Sequence, residues 1–150
     1  MTIHPWFWAH VFATLAMVGL IWTIQLVHYP LMAEVRNGFV NYHDQHCARI
    51  AWLVGPLMGV EALTGLLLLY ERPPGVGQVP VWVGFLLIGL IWAATAFLSV
   101  PEHSRLTRGY DARAISRLVD TNWIRTLAWS ARGALVLWMA SRGLALASKG

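Results

Sequence analysis

"YHDQHCARIAWLVGPLMGVEALTGLLLLY", residues 42–70, decides how this chain folds. Its first nine residues hold two histidines, an aspartate and an arginine, whereas residues 50–69 hold Glu61 as their one charge. About twenty mainly apolar residues are what a helix needs to cross the hydrocarbon layer of a membrane. The stretch therefore reads as a transmembrane helix approached through a polar collar.

Three further stretches qualify in the same way, so the expected spans are 5–27, 50–69, 81–100 and 123–140. Only 12% of the residues are charged, about half the share in a soluble domain. The expectation is an all-α integral membrane protein: one transmembrane domain over residues 1–150, folded as an up-down four-helix bundle. No Lys or Arg precedes the first span and its apolar run is long, which argues against a cleaved signal. "ERPPGVGQVP", residues 71–80, reads as a tight turn between the second and third spans. "DARAISRLV", residues 111–119, reads as a separate short amphipathic helix before the fourth, capped by Asp111, with Ile115, Leu118 and Val119 on its apolar side. Such a helix could serve as a lid.

The net charge of +4 does not point to nucleic acid, because no basic stripe or nucleic-acid module is present. Basic loops are normal on the cytoplasmic side of a membrane protein. Arg36, Arg49, Arg105, Arg108, Arg113, Arg117 and Arg125 fall on one face, and Arg72, Arg142 and Lys149 on the other. That asymmetry predicts both termini on the non-cytoplasmic side. The nine tryptophans suit the two membrane interfaces. Cys47 is the single cysteine, which excludes an intrachain disulfide. Its ordinary reading is a small hydrophobe, with a ligand or a reactive thiol as the alternatives.

Up-down topology brings the end of helix 1, the start of helix 2, the end of helix 3 and the start of helix 4 to one membrane face. His28, His43, His46 and His103 then converge there, joined by Asn122 and Arg125. Imidazoles one helical turn apart can address one metal, and the set suits iron, copper or zinc better than calcium. His28 and His103, at matched depth, could instead hold a haem axially. The bland alternative is a polar collar that binds nothing.

Helical phase turns Glu61 to the same side as His43, about 27 Å deeper if the helix is continuous. A carboxylate at that depth needs a partner, for which Arg132 and His10 are the candidates. These three residues form an expected buried polar core, as a packing pair or as part of a proton or ion path. On helix 4, Asn122, Arg125, Trp129 and Arg132 share a face; on helix 3, Trp92, Thr95, Ser99 and Glu102 or His103 do so. Pro56 is expected to free a carbonyl or kink helix 2, and Pro101 to bend or end helix 3. Gly55 and Gly59 offer a GxxxG face for a neighbouring helix.

"WTIQLVHYPLM", "YHDQHCARIAWLVGPLM" with "VEALTGLLLL", "VPEHSRLTRGYD" and "LVDTNWIRTLAWSARGALVLWM" together resemble an uncharacterised bacterial family of small four-span membrane proteins. The same pattern is loosely similar to the anthrone oxygenase-like membrane proteins. The first resemblance implies the bacterial inner (cytoplasmic) membrane. The second implies oxidation of a hydrophobic aromatic substrate by dioxygen, with His28, His103, Asn122 and Arg125 as the catalytic positions. The doubled histidine of helix 2 departs from that group and leaves the cofactor open. The expected function is thus a metal-dependent oxidoreductase acting on a lipophilic small molecule, with His28, His43, His46 and His103 as metal ligands. The rival expectations are a non-catalytic subunit of a larger membrane complex or homo-oligomer, and a small metal-ion or proton transporter.

Overall fold

A computed structural model describes residues 3–148, and Lys149 of the charge count lies outside them. The described chain is helical, with no strand. Four long helices follow one another: α1 (Pro5–Met32), α2 (Phe39–Tyr70), α3 (Gln78–Leu106) and α4 (Ala112–Ala147). The first three are long and apolar enough to cross a membrane. α4 is longer still, but Arg125 and Arg132 interrupt its apolar run.

Each helix packs against two others, α1 and α3 both lying between α2 and α4. The pairings run antiparallel. Trp22 meets Ser130 and Gln25 meets Asn122 between α1 and α4, while Thr14 meets Glu61 and His10 meets Thr64 between α1 and α2. Close approach is set by glycine: a Cβ on Gly65 would collide with the Ile88 side chain, and one on Gly133 would lie 2.9 Å from Val18. Gly55 and Gly59 have nothing within 4 Å of their Cβ positions, so the expected GxxxG face is not used within the described chain.

Apolar side chains fill three layers along the helices. Phe7, Leu68 and Val136 belong to the layer near the 71–77 turn, Met17, Ile21, Met58 and Trp129 to the middle, and Met32, Phe39, Leu106 and Leu118 to the opposite end. Large apolar residues also cover the outside, among them Phe12, Trp52, Leu63, Leu86 and Phe97, while Glu61, Arg125 and Arg132 are buried. Charge inside and hydrocarbon outside is the arrangement a lipid solvent selects.

Several local expectations are corrected. Residues 111–119 are not a separate amphipathic helix: Asp111 does cap, accepting from the Arg113 and Ala114 amides, but the helix it starts runs unbroken to Ala147. No Pro lies within it and no Gly falls between residues 112 and 132, and Ala114, Ile115 and Leu118 are buried in the end layer. α2 begins at Phe39, after a left-handed Gly38 (φ 68°), so His43 and His46 lie within the helix. It runs on through Pro56, which is expected to free a carbonyl or kink the helix and not to end it. Pro101 does not end α3. A π-helical turn, Thr95–Ser99, precedes it, and a matching one, Ile24–His28, precedes Pro30 in α1. Proline has no N–H and its ring crowds the carbonyl four residues back; a widened turn just before it lets the helix continue.

Candidate functional site

The two π turns and the first third of α2 enclose one corner of the molecule. His43 is fully buried on α2; its Nε2 lies 3.0 Å from Nδ1 of His103 on α3. One turn after His43, Cys47 places its Sγ 3.5 Å from His43 Nε2 and 3.7 Å from His103 Nδ1. These three atoms form a small triangle. A tetrahedral zinc-like ion with nitrogens at about 2.0–2.1 Å and a thiolate at about 2.3 Å separates its ligands by about 3.3 Å (N to N) and about 3.5 Å (N to S). The triangle has nearly those sides, so His43, Cys47 and His103 could hold a metal ion.

The neighbours orient that group. Tyr29, buried on α1, has its hydroxyl 3.2 Å from His103 Nε2, and Asp44 Oδ1 stands 3.7 Å from His43 Nδ1. A partner on the outer nitrogen of each imidazole fixes which nitrogen is free to bind. His46 is 6.0 Å from His103 between ring centroids, and His28 stacks on His46 at 4.0 Å. All four converging histidines thus meet in one corner, with His43 and His103 in the donor triangle and His28 and His46 stacked beside it. The buried Nε2 of His28 has no hydrogen-bond partner among the described residues.

A cavity of about 440 Å³ adjoins the triangle, with Cys47, His46 and His103 on its wall. Tyr29 and Arg125 form buried parts of the wall, and the exposed Ala51, Gly55, Val100 and Ser104 form a rim between α2 and α3. Asn122 does not line it. Its Nδ2 donates to Gln25 Oε1 on the π turn of α1, at 2.8 Å. Glu102 is held by Arg105 and Arg117.

Deeper in the fold lies a second polar group. Glu61 Oε1 accepts from Arg132 Nε (2.8 Å) and from the Thr14 hydroxyl (2.9 Å), and Oε2 accepts from Trp129 Nε1 (3.0 Å). Arg132 also donates to the Gly84 carbonyl and reaches His10 Nε2 at 3.3 Å. Because the Thr64 hydroxyl donates to the Val60 carbonyl, His10 Nδ1–H must be the donor to Thr64 Oγ1 at 2.7 Å. Nε2 is then free to accept from Arg132. Of the two candidate partners of Glu61, Arg132 bonds it directly and His10 does so through Arg132. All four helices contribute to this network.

Three parts of the corner escape sequence reasoning. Cys47 is read there first as a small hydrophobe, with a ligand only as an alternative; its signal was the i, i+4 spacing from His43, which puts both on one face. Tyr29 had only its place beside His28. The π turns had the prolines two residues beyond them. No family model, no curated protein and no solved structure matches this chain.

Proposed function

We propose that this chain is a four-span, up-down membrane bundle that binds a transition metal at His43, Cys47 and His103 and performs redox chemistry on a lipophilic small molecule in the adjoining cavity. The observation that carries the reading is a donor triangle of metal-site dimensions, two of whose members line a cavity between helices. Three protein ligands are the number found where a metal keeps a further position for substrate or water. Imidazole and thiolate together suit copper, iron or zinc, and redox work selects iron or copper. His46, on the cavity wall, and Tyr29, bonded to His103, are the groups placed to move a proton there. Dioxygen is the oxidant that the resemblance implies.

α4 is assigned as the fourth span because its exposed Leu127, Leu137 and Trp138 face outward while both central arginines are buried. Its 36 residues, about 54 Å of helix, exceed the thickness of a bilayer. The arginines near the His corner support a cytoplasmic position for that end, with both termini on the other side, and the bacterial inner membrane is what the resemblance implies. A haem between His28 and His103 is the weaker cofactor reading, since both nitrogens of His103 are already faced by Tyr29 and His43. A proton path through Glu61 is weaker too, because both carboxylate oxygens are committed to donors.

The test is elemental analysis with an optical spectrum on tag-free protein purified in mild detergent without chelator. Stoichiometric iron or copper is expected, lost in His43→Ala and in Cys47→Ser while the helical circular dichroism persists. Metal-free wild-type protein that also fails to take up added iron or copper overturns the reading.

A further inference from the structure

Arg125 is 5% exposed and lies on the wall of the 440 Å³ cavity. Among the described residues no carboxylate comes within 4 Å of it; Nη1 donates to the Ser99 hydroxyl at 3.0 Å, and the Tyr29 hydroxyl is its other side-chain hydrogen-bonding neighbour. The guanidinium stands 5.5 Å from the Trp129 ring, and its buried Nε has no acceptor. A guanidinium carries five donors in a planar fork, and burying such a charge without a counter-ion is expensive. Nor is the cost relieved by the acids at this end of the molecule: Glu102 is shared by Arg105 and Arg117, and Asp44 lies on the far side of His43. Away from the His corner, Ile24, Ile50, Val54, Met58 and Trp92 give the lining an apolar part.

We propose that the cavity between α2 and α3 binds an organic anion with an apolar body, its carboxylate, phenolate or phosphate oxygens forked by Arg125 and its hydrocarbon lying among Ile50, Val54 and Met58. The guanidinium fork matches two oxygens of such a group, and the Ser99 hydroxyl already holds it in place. The rim between two helices gives a ligand dissolved in the bilayer a lateral way in. This names the class of small molecule for the cavity of the proposed function and rests on that cavity being a ligand site, independently of the metal. The anion is either a free lipophilic acid or the headgroup of an anionic lipid.

The experiment compares dodecanoate with dodecanol, the same tail without the charge, by calorimetric titration of the purified protein in an uncharged detergent. EDTA is present throughout, so that a failed metal site leaves the outcome unaffected. Dodecanoate is expected to bind about tenfold or more tightly than dodecanol, as a charge-assisted hydrogen-bonded pair would give. Arg125→Met should abolish the difference and Arg125→Lys should keep part of it. Phosphatidylglycerol added to the micelles separates the two sources: displacement of dodecanoate assigns the site to a lipid headgroup, and persistence assigns it to a free acid. Equal binding of acid and alcohol by the wild type overturns the proposal, as does a preference that survives in Arg125→Met. The wild-type comparison decides alone should the variant not fold.

Discussion

Arg132 and Arg125 stand seven residues apart on one face of α4, both at least nine-tenths buried, yet one is saturated and the other is not. Arg132 has the Glu61 carboxylate, the Gly84 carbonyl and His10. Arg125 has the hydroxyls of Ser99 and Tyr29 and the face of an indole, and no carboxylate. Trp129 lies between them, giving its N–H to Glu61 and its ring to Arg125. A buried charge with its counter-ion in the same chain is a packing element that ties helices together. One whose counter-ion is missing from the chain invites it from outside.

Substitutions can break that contrast. The largest effect is expected for Glu61→Ala, which leaves Arg132 uncompensated: a loss of about 3–5 kcal/mol of stability, read by thermal or denaturant unfolding in detergent. A smaller loss, roughly 1.5–3 kcal/mol, is expected for Trp129→Phe, which removes one donor from a charged acceptor but keeps an aromatic face beside Arg125. For Arg125→Met the same unfolding measurement should give a change within about 1 kcal/mol of wild type, or a gain, because no charged partner is stranded, only hydroxyls, and a buried charge is removed. If Arg125→Met destabilised as much as Glu61→Ala, the two arginines would be equivalent packing residues and the distinction between them would be lost.

Much of the frame was legible because hydropathy and helical period act locally. Glu61 is the only charge in twenty residues, so its burial and its need for Arg132 or His10 followed from one line of sequence. Convergence of His28, His43, His46 and His103 followed from chain reversal alone. Reading which of them meet was another matter. Cys47 looked like a small hydrophobe beside His46, and only the packing of α3 against α2 brought its sulfur to within 3.7 Å of His103. Asp111 was legible as a cap, since capping is local, but the 36-residue length of the helix it starts depended on the apolar layer into which its first turns pack.

What the sequence determined by itself was a membrane-type helical chain with a polar seam, since apolar run length, charge sparsity and a period of 3.6 residues are properties of single segments. The tertiary structure decided which histidine faces the thiol, where α2 and α3 part to leave a cavity, and which buried arginine goes without a carboxylate. Those depend on distances of a few ångströms between residues as much as 122 positions apart, as between His10 and Arg132, set by glycine contacts and two π turns. No single segment encodes such distances, because each is the joint result of how four helices pack.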